Sequence, residues 1–146
     1  LINQFDFSSM KKDLNTAIWR YTDPKRSSGG LHISVSAESK ARLASLLDFI
    51  TESDSDKNIT IDLVDVSNDI LEVPNFGCKV KSFHKVKFSR SETCQKIYVN
   101  GNDIIFELNK ESISKISHCV KSILSGCEKN IIVEGEVINF WWQLLK

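Results

Sequence analysis

The chain has 146 residues, 41% of them apolar and 26% charged, which describes one ordinary folded domain over residues 1–146 and sets aside disordered, collagenous and coiled-coil chains. Nineteen Lys and Arg balance nineteen Asp and Glu, so no net charge draws the molecule to nucleic acid or to a membrane, and any electrostatic function has to be local. No apolar run is long enough for a bilayer span or a signal-peptide core, and the expectation is a cytoplasmic protein.

Residues 1–30 read as an N-terminal helix and loop. Met10, Leu14, Ala17, Ile18 and Tyr21 fall on one side of a helix from Ser9 to Thr22, which Asp23-Pro24 ends. Lys25 to Gly30 then lacks apolar side chains and reads as a connection. Residues 31–146 form the α+β core. Leu31 to Ser39 and Ile104 to Ser112 overlay as a strand that turns, at Ser36 or Asn109, into a helix. The helices carry Leu43, Leu46, Leu47, Ile50 and Ile116, Cys119, Val120, Ile123 at the same spacing, and related strands follow at Asn58–Asp62 and Asn130–Glu134. The pattern is either a diverged internal β-α-β-β duplication or two unrelated strand–helix units that share a common layout.

Each helix is expected to be followed by a hairpin, Ile59–Val66 with Ile70–Val73 in one half and Asn130–Glu134 with Val137–Trp142 in the other, the latter turning at Gly135-Glu136. A strand over Lys79–Arg90, another over Lys96–Val99 and a turn at Asn100-Gly101 complete the set. The predicted fold is a two-layer α+β domain with one largely antiparallel sheet of about eight strands and two or three helices.

No nucleophile elbow, phosphate loop, dinucleotide fingerprint or zinc spacing is present, so no catalytic, cofactor-binding or metal-binding residues are assigned and the chain is not expected to be an enzyme. Cys78, Cys94, Cys119 and Cys127 form no C-x-x-C pair and read as reduced thiols, with Cys119 a small core residue. His84 and His118 are the residues an acid–base hydrolase would need, but nothing in their spacing joins them, and His118 lies away from the apolar stripe of its helix.

Charge is distributed unevenly. Between residues 48 and 72 the carboxylates of Asp48, Glu52, Asp54, Asp56, Asp62, Asp65, Asp69 and Glu72 face Lys57 alone. Between 79 and 90 the pattern reverses. Lys79, Lys81, Phe83, Lys85 and Lys87 would share one side of a strand, either as an edge guarded by lysines or as a surface on which Lys81, Lys85 and Lys87 attract an anion and Phe83 stacks on a base. At the other end of the chain, Phe140-Trp141-Trp142 cannot place both indoles in one layer, so Trp141 is either covered core or an exposed hot spot for a partner.

The strand Ile104-Ile105-Phe106-Glu107-Leu108, the helix ending at Leu124-Ser125-Gly126 and the closing Phe140-Trp141-Trp142 resemble the layout of small immunity proteins paired with bacterial polymorphic toxins, including the contact-dependent growth inhibition type. The resemblance covers roughly residues 31 to 142. It implies a non-enzymatic, cytoplasmic binder of a cognate toxin C-terminal domain, often a nuclease, acting by blocking the active site without a cofactor. In that role Asp54, Asp56, Asp65, Asp69 and Glu72 would meet a basic cleft and Trp141 would anchor the contact. The alternative is a nucleic-acid-binding module built on Lys81, Phe83, Lys85 and Lys87.

Overall fold

The computed structural model describes residues 14–22, 30–52, 57–65, 80–123 and 129–141. In these, two helices and nine strands form an α+β fold with two mixed sheets, not one. The elements are β1 (Thr16–Tyr21), β2 (Leu31–Val35), α1 (Ser39–Glu52), β3 (Asn58–Asp62), β4 (Val80–Ser82), β5 (Lys85–Arg90), β6 (Lys96–Asn100), β7 (Asp103–Leu108), α2 (Lys110–Lys121), β8 (Lys129–Val133) and β9 (Glu136–Phe140). A five-stranded sheet runs β4-β1-β2-β9-β8 and a four-stranded sheet runs β3-β5-β7-β6. Neighbours are antiparallel except for β2 with β9 and β5 with β7.

Helix α2 is capped as expected, the Ser112 amide donating to Asn109 Oδ1 at 2.9 Å, whereas α1 starts at Ser39 after a turn, across which the Ser39 amide donates to Ser36 Oγ. Two further turns follow from backbone chemistry. Glu134 and Gly135 both take positive φ, as a type I′ hairpin requires, so the β8–β9 turn lies one residue before the Gly135-Glu136 expected from sequence. Gly101 alone takes positive φ in the β6–β7 turn, which is Gly101-Asn102 between the paired Asn100 and Asp103.

The largest departure from the sequence reading is at the N-terminus. Residues 16–21 are a strand, not the end of a helix. Thr, Ile, Trp and Tyr favour extended backbone, and this strand is buried on both faces, so its apolar residues show no alternation and mimic a helical stripe by chance. Residues 9–13 of the expected helix lie outside the described residues. The expected strand Lys79–Arg90 also breaks. Its β4 and β5 portions belong to different sheets, and the chain crosses between them at Phe83 and His84, whose amides donate to Ile18 O at 3.0 Å and Asn102 O at 2.7 Å.

The two halves share a topology, β1-β2-α1-β3-β5 with β4 inserted before β5 in the first and β6-β7-α2-β8-β9 in the second, with their strand pairs exchanged between the sheets. The hairpin β1–β2 shares its sheet with β8–β9 of the second half, and β6–β7 shares its sheet with β3–β5 of the first. Equivalent positions meet where the helices cross: Ser117 Oγ donates to Ala44 O, and Lys121 pairs with Asp48 Oδ2 at 2.7 Å, each pair separated by 73 positions. Ser117 Oγ also donates to Asp48 Oδ1 at 2.6 Å. Register corrects one detail of the sequence overlay. Ile61 faces Val86, which faces Ile104, while Ile131 faces Ile138, which faces Leu31, so Ile61 and not Ile59 is the counterpart of Ile131. A two-residue slip keeps every side chain on its own face, which is why apolar alternation alone does not detect it. The expected partner of β3, at Ile70–Val73, lies outside the described residues; within them β3 pairs with β5.

The helical stripes and the inward faces of both sheets join in one apolar cluster that includes Leu46, Leu47, Ile50, Phe88, Phe106, Ile116, Val120 and Phe140. Each such side chain contributes about 1.5–3 kcal/mol by leaving water. On the far side of the five-stranded sheet, Ala17, Trp19, Tyr21 and Trp141 form a second, smaller cluster. Among the described residues no helix is long and apolar enough to cross a membrane.

Candidate functional site

The two sheets differ in what their outer faces meet. On the five-stranded sheet, Trp19, His32, Ser34 and Trp141 are all buried, and Trp141 is only 3% exposed. Its indole N–H donates to His32 Nδ1 at 2.8 Å, and the imidazole stacks on Trp19 with ring centres 5.6 Å apart. Trp141 is therefore core and not the exposed anchor that the interface reading required.

The four-stranded sheet is open. Alternation along each strand sends Ile59, Ile61, Val86, Phe88, Ile104, Phe106 and Leu108 inward, and cross-strand register arranges the outward residues in three rows. The central row is Thr60, Lys87, Ile105 and Tyr98; beside it lie Asn58, Ser89, Glu107 and Lys96 on one side and Asp62, Lys85, Asp103 and Asn100 on the other. A shallow depression of about 230 Å³ is lined by Thr60, Lys85, Lys87, Tyr98, Asn100, Asp103 and Ile105.

Charges of both signs are interleaved on this face. Lys85 lies 3.9 Å from Asp62, a pair open to water and worth little by itself. The Tyr98 hydroxyl donates to Glu107 Oε1 at 2.8 Å, and Lys96 Nζ sits 4.7 Å from the centre of the Tyr98 ring. Hydrogen bonding to the Glu107 carboxylate, with a smaller contribution from desolvation and from that negative charge, raises the pKa of Tyr98 above the ordinary tyrosine value. After β3 the chain leaves this sheet, Val64 N donating to Thr16 O of β1 at 2.9 Å, and Asp65 follows as an exposed residue.

Of the residues singled out from sequence, Asp65, Lys81, Lys85 and Lys87 are exposed. Asp54, Asp56, Asp69 and Glu72 lie outside the described residues. The lysine ladder is not one surface. Lys85 and Lys87 stand on the open face, whereas Lys81 belongs to the other sheet, where its Nζ donates to Gly101 O at 3.1 Å. Phe83 is 1% exposed, turned into the core where the chain passes between sheets, so it offers no stacking surface, and the exposed aromatic beside Lys85 and Lys87 is Tyr98. His84 and His118 are exposed, Cys119 is buried and Cys94 exposed. Among the described residues no three His, Cys, Asp or Glu side chains group as metal ligands would.

Sequence reasoning missed Tyr98 and Ile105. The alternation of Lys96, Tyr98 and Asn100 against Ile97 and Val99 carried the signal for Tyr98, since it aligns an aromatic with a lysine on the wet side of an edge strand. Ile105 was hidden inside a continuous apolar run, Ile104-Ile105-Phe106, that does not mark its outward member. No family model, curated protein or solved structure matches the chain.

Proposed function

We propose that the chain is a cytoplasmic immunity protein that binds a cognate toxin domain stoichiometrically and blocks its active site, without a cofactor and without turnover. The observation that supports the reading is the open four-stranded face. It places Tyr98, 37% exposed, beside Ile105, which is itself only 8% exposed, among Lys85, Lys87, Lys96, Asp62 and Asp103, a small apolar centre around one tyrosine within a charged rim of the kind specific interfaces use. Exposed Asp62 supplies its acidic margin, with exposed Asp65 three residues further along the chain, and these carboxylates are suited to steer a basic cleft onto the face.

The test is co-expression with the protein encoded by the adjacent reading frame, scored for restored growth and co-purification. Rescue with a stable complex is the expected result, and a neighbouring protein that is harmless or does not associate overturns the reading. Reversing the margin with Asp62→Lys and Asp65→Lys together should slow association by about tenfold at low salt and flatten its salt dependence, because rim charges act mainly on encounter. Unchanged association kinetics would remove this margin from the interface.

A further inference from the structure

The exchanged-hairpin repeat makes β6 the counterpart of β1. Ile18 faces Ile33 and Ile97 faces Phe106, and Ile33 and Phe106 are equivalent, so Ile97 matches Ile18, Tyr98 matches Trp19 and Val99 matches Arg20. The two strands are nevertheless finished differently. On the outer side of β1, β4 pairs antiparallel with Trp19, Arg20 and Tyr21. The same edge continues where Phe83 N donates to Ile18 O at 3.0 Å and Val64 N to Thr16 O at 2.9 Å. On β6, the pair Asn100–Asp103 closes the two-residue turn, so Asn100, Tyr98 and Lys96 bond inward to β7 while the amides and carbonyls of Ile97 and Val99 point away from the sheet. Among the described residues nothing pairs with them.

We infer that the free edge of β6 is a strand-addition site, taking an extended antiparallel segment of a partner protein in the place that β4 takes on β1. Chemistry narrows the occupant. One side of an added strand would lie against Val99, 40% exposed, and Ile97, which calls for apolar residues. The other side would run beside Lys96, whose neighbour Glu107 already accepts the Tyr98 hydroxyl, and no carboxylate among the described residues lies within ion-pair distance of Lys96. The segment is therefore one that alternates apolar and acidic residues. A second copy of the chain fits less well, because joining two five-residue edges covers far less than the roughly 1,000 Å² that a specific interface needs. A partner whose body also lies on the adjoining open face reaches that area. To this extent the inference rests on the proposed function, and it names the element at which that partner engages.

The test uses the full chain with a synthetic peptide of alternating valine and glutamate, followed by amide NMR. The Ile97 and Val99 amides should shift on titration and exchange more slowly with solvent, those of Tyr98 and Lys96 far less. Val99→Pro removes an outward amide without touching the β7 ladder and should weaken binding about tenfold or more, a larger loss than Val99→Thr, which keeps the amide and gives up only part of the apolar contact. Lys96→Glu, which leaves the backbone intact, should also weaken it and serves if the proline variant does not fold. Absence of any change at Ile97 and Val99 at millimolar peptide overturns the inference. Repeating the exchange measurement on the complex with the adjacent-frame protein separates the two readings: a complex that forms with Ile97 and Val99 unprotected defeats strand addition and leaves the immunity function standing, and failure to form any complex defeats the function while the peptide result still decides the edge.

Discussion

Tyr98 and Glu107 show how one exposed residue reports on a whole surface. Donation of the phenol proton to the carboxylate stabilises the neutral ring, so the titration of Tyr98 is moved upward. The sign of the linkage follows: the stabilisation is fully present below the ordinary tyrosine value and is lost as pH rises through the higher folded value. Glu107→Gln keeps an acceptor but removes the charge. Its tyrosinate absorbance should therefore appear at lower pH than in the parent, read in an alkaline ultraviolet titration, and an unmoved midpoint would show that Glu107 does not hold the ring. Individual residues were unevenly legible in the sequence. Asn109 as a cap and Cys119 as core follow from local pattern, whereas Trp141 is buried where its indole donates to His32, a residue 109 positions away, and no local pattern encodes that meeting.

Among the elements, both helices and strands β2, β3, β6, β7 and β9 were readable because one face is apolar and the other is not. Strand β1 was misread because neither of its faces is wet, and β4 was merged with β5 because the chain changes sheets without a turn residue to mark the place. The junction between β2 and β9 has a more exacting requirement. Gly30, at φ +84°, leads into β2, and a Cβ placed there would lie 2.2 Å from the carbonyl oxygen of Val137, which is main chain and cannot rotate aside. Gly135, at φ +76°, has open space around it. Gly30→Ala should then cost at least ~2 kcal/mol in urea unfolding, from backbone strain and collision together, and Gly135→Ala about 1 kcal/mol from strain alone. Equal losses would show that the approach of β9 to Gly30 is not what makes glycine necessary.

For the molecule as a whole, the repeat was legible as a pattern, but the exchange of hairpins was not, since the pairing of β2 with β9 and β5 with β7 is a matter of which half meets which. The result is that neither half owns a complete sheet. Expressed separately, residues 1–90 and 91–146 should each lack a cooperative thermal transition, and mixing them should restore one together with native circular dichroism. A half that melts cooperatively by itself would show that the inter-half strand pairs are dispensable.

The parallel contact of β2 with β9 also sets an order of events during synthesis. Residue 31 leaves the ribosome long before residue 140, so the nascent first sheet carries the unfilled side of β2, apolar residues included, until nearly all of the described chain has been translated. Burial of that side comes late and in a single step, which makes the emerging chain most vulnerable to proteases and chaperone capture in the interval when its first helix is already made and its final hairpin is not.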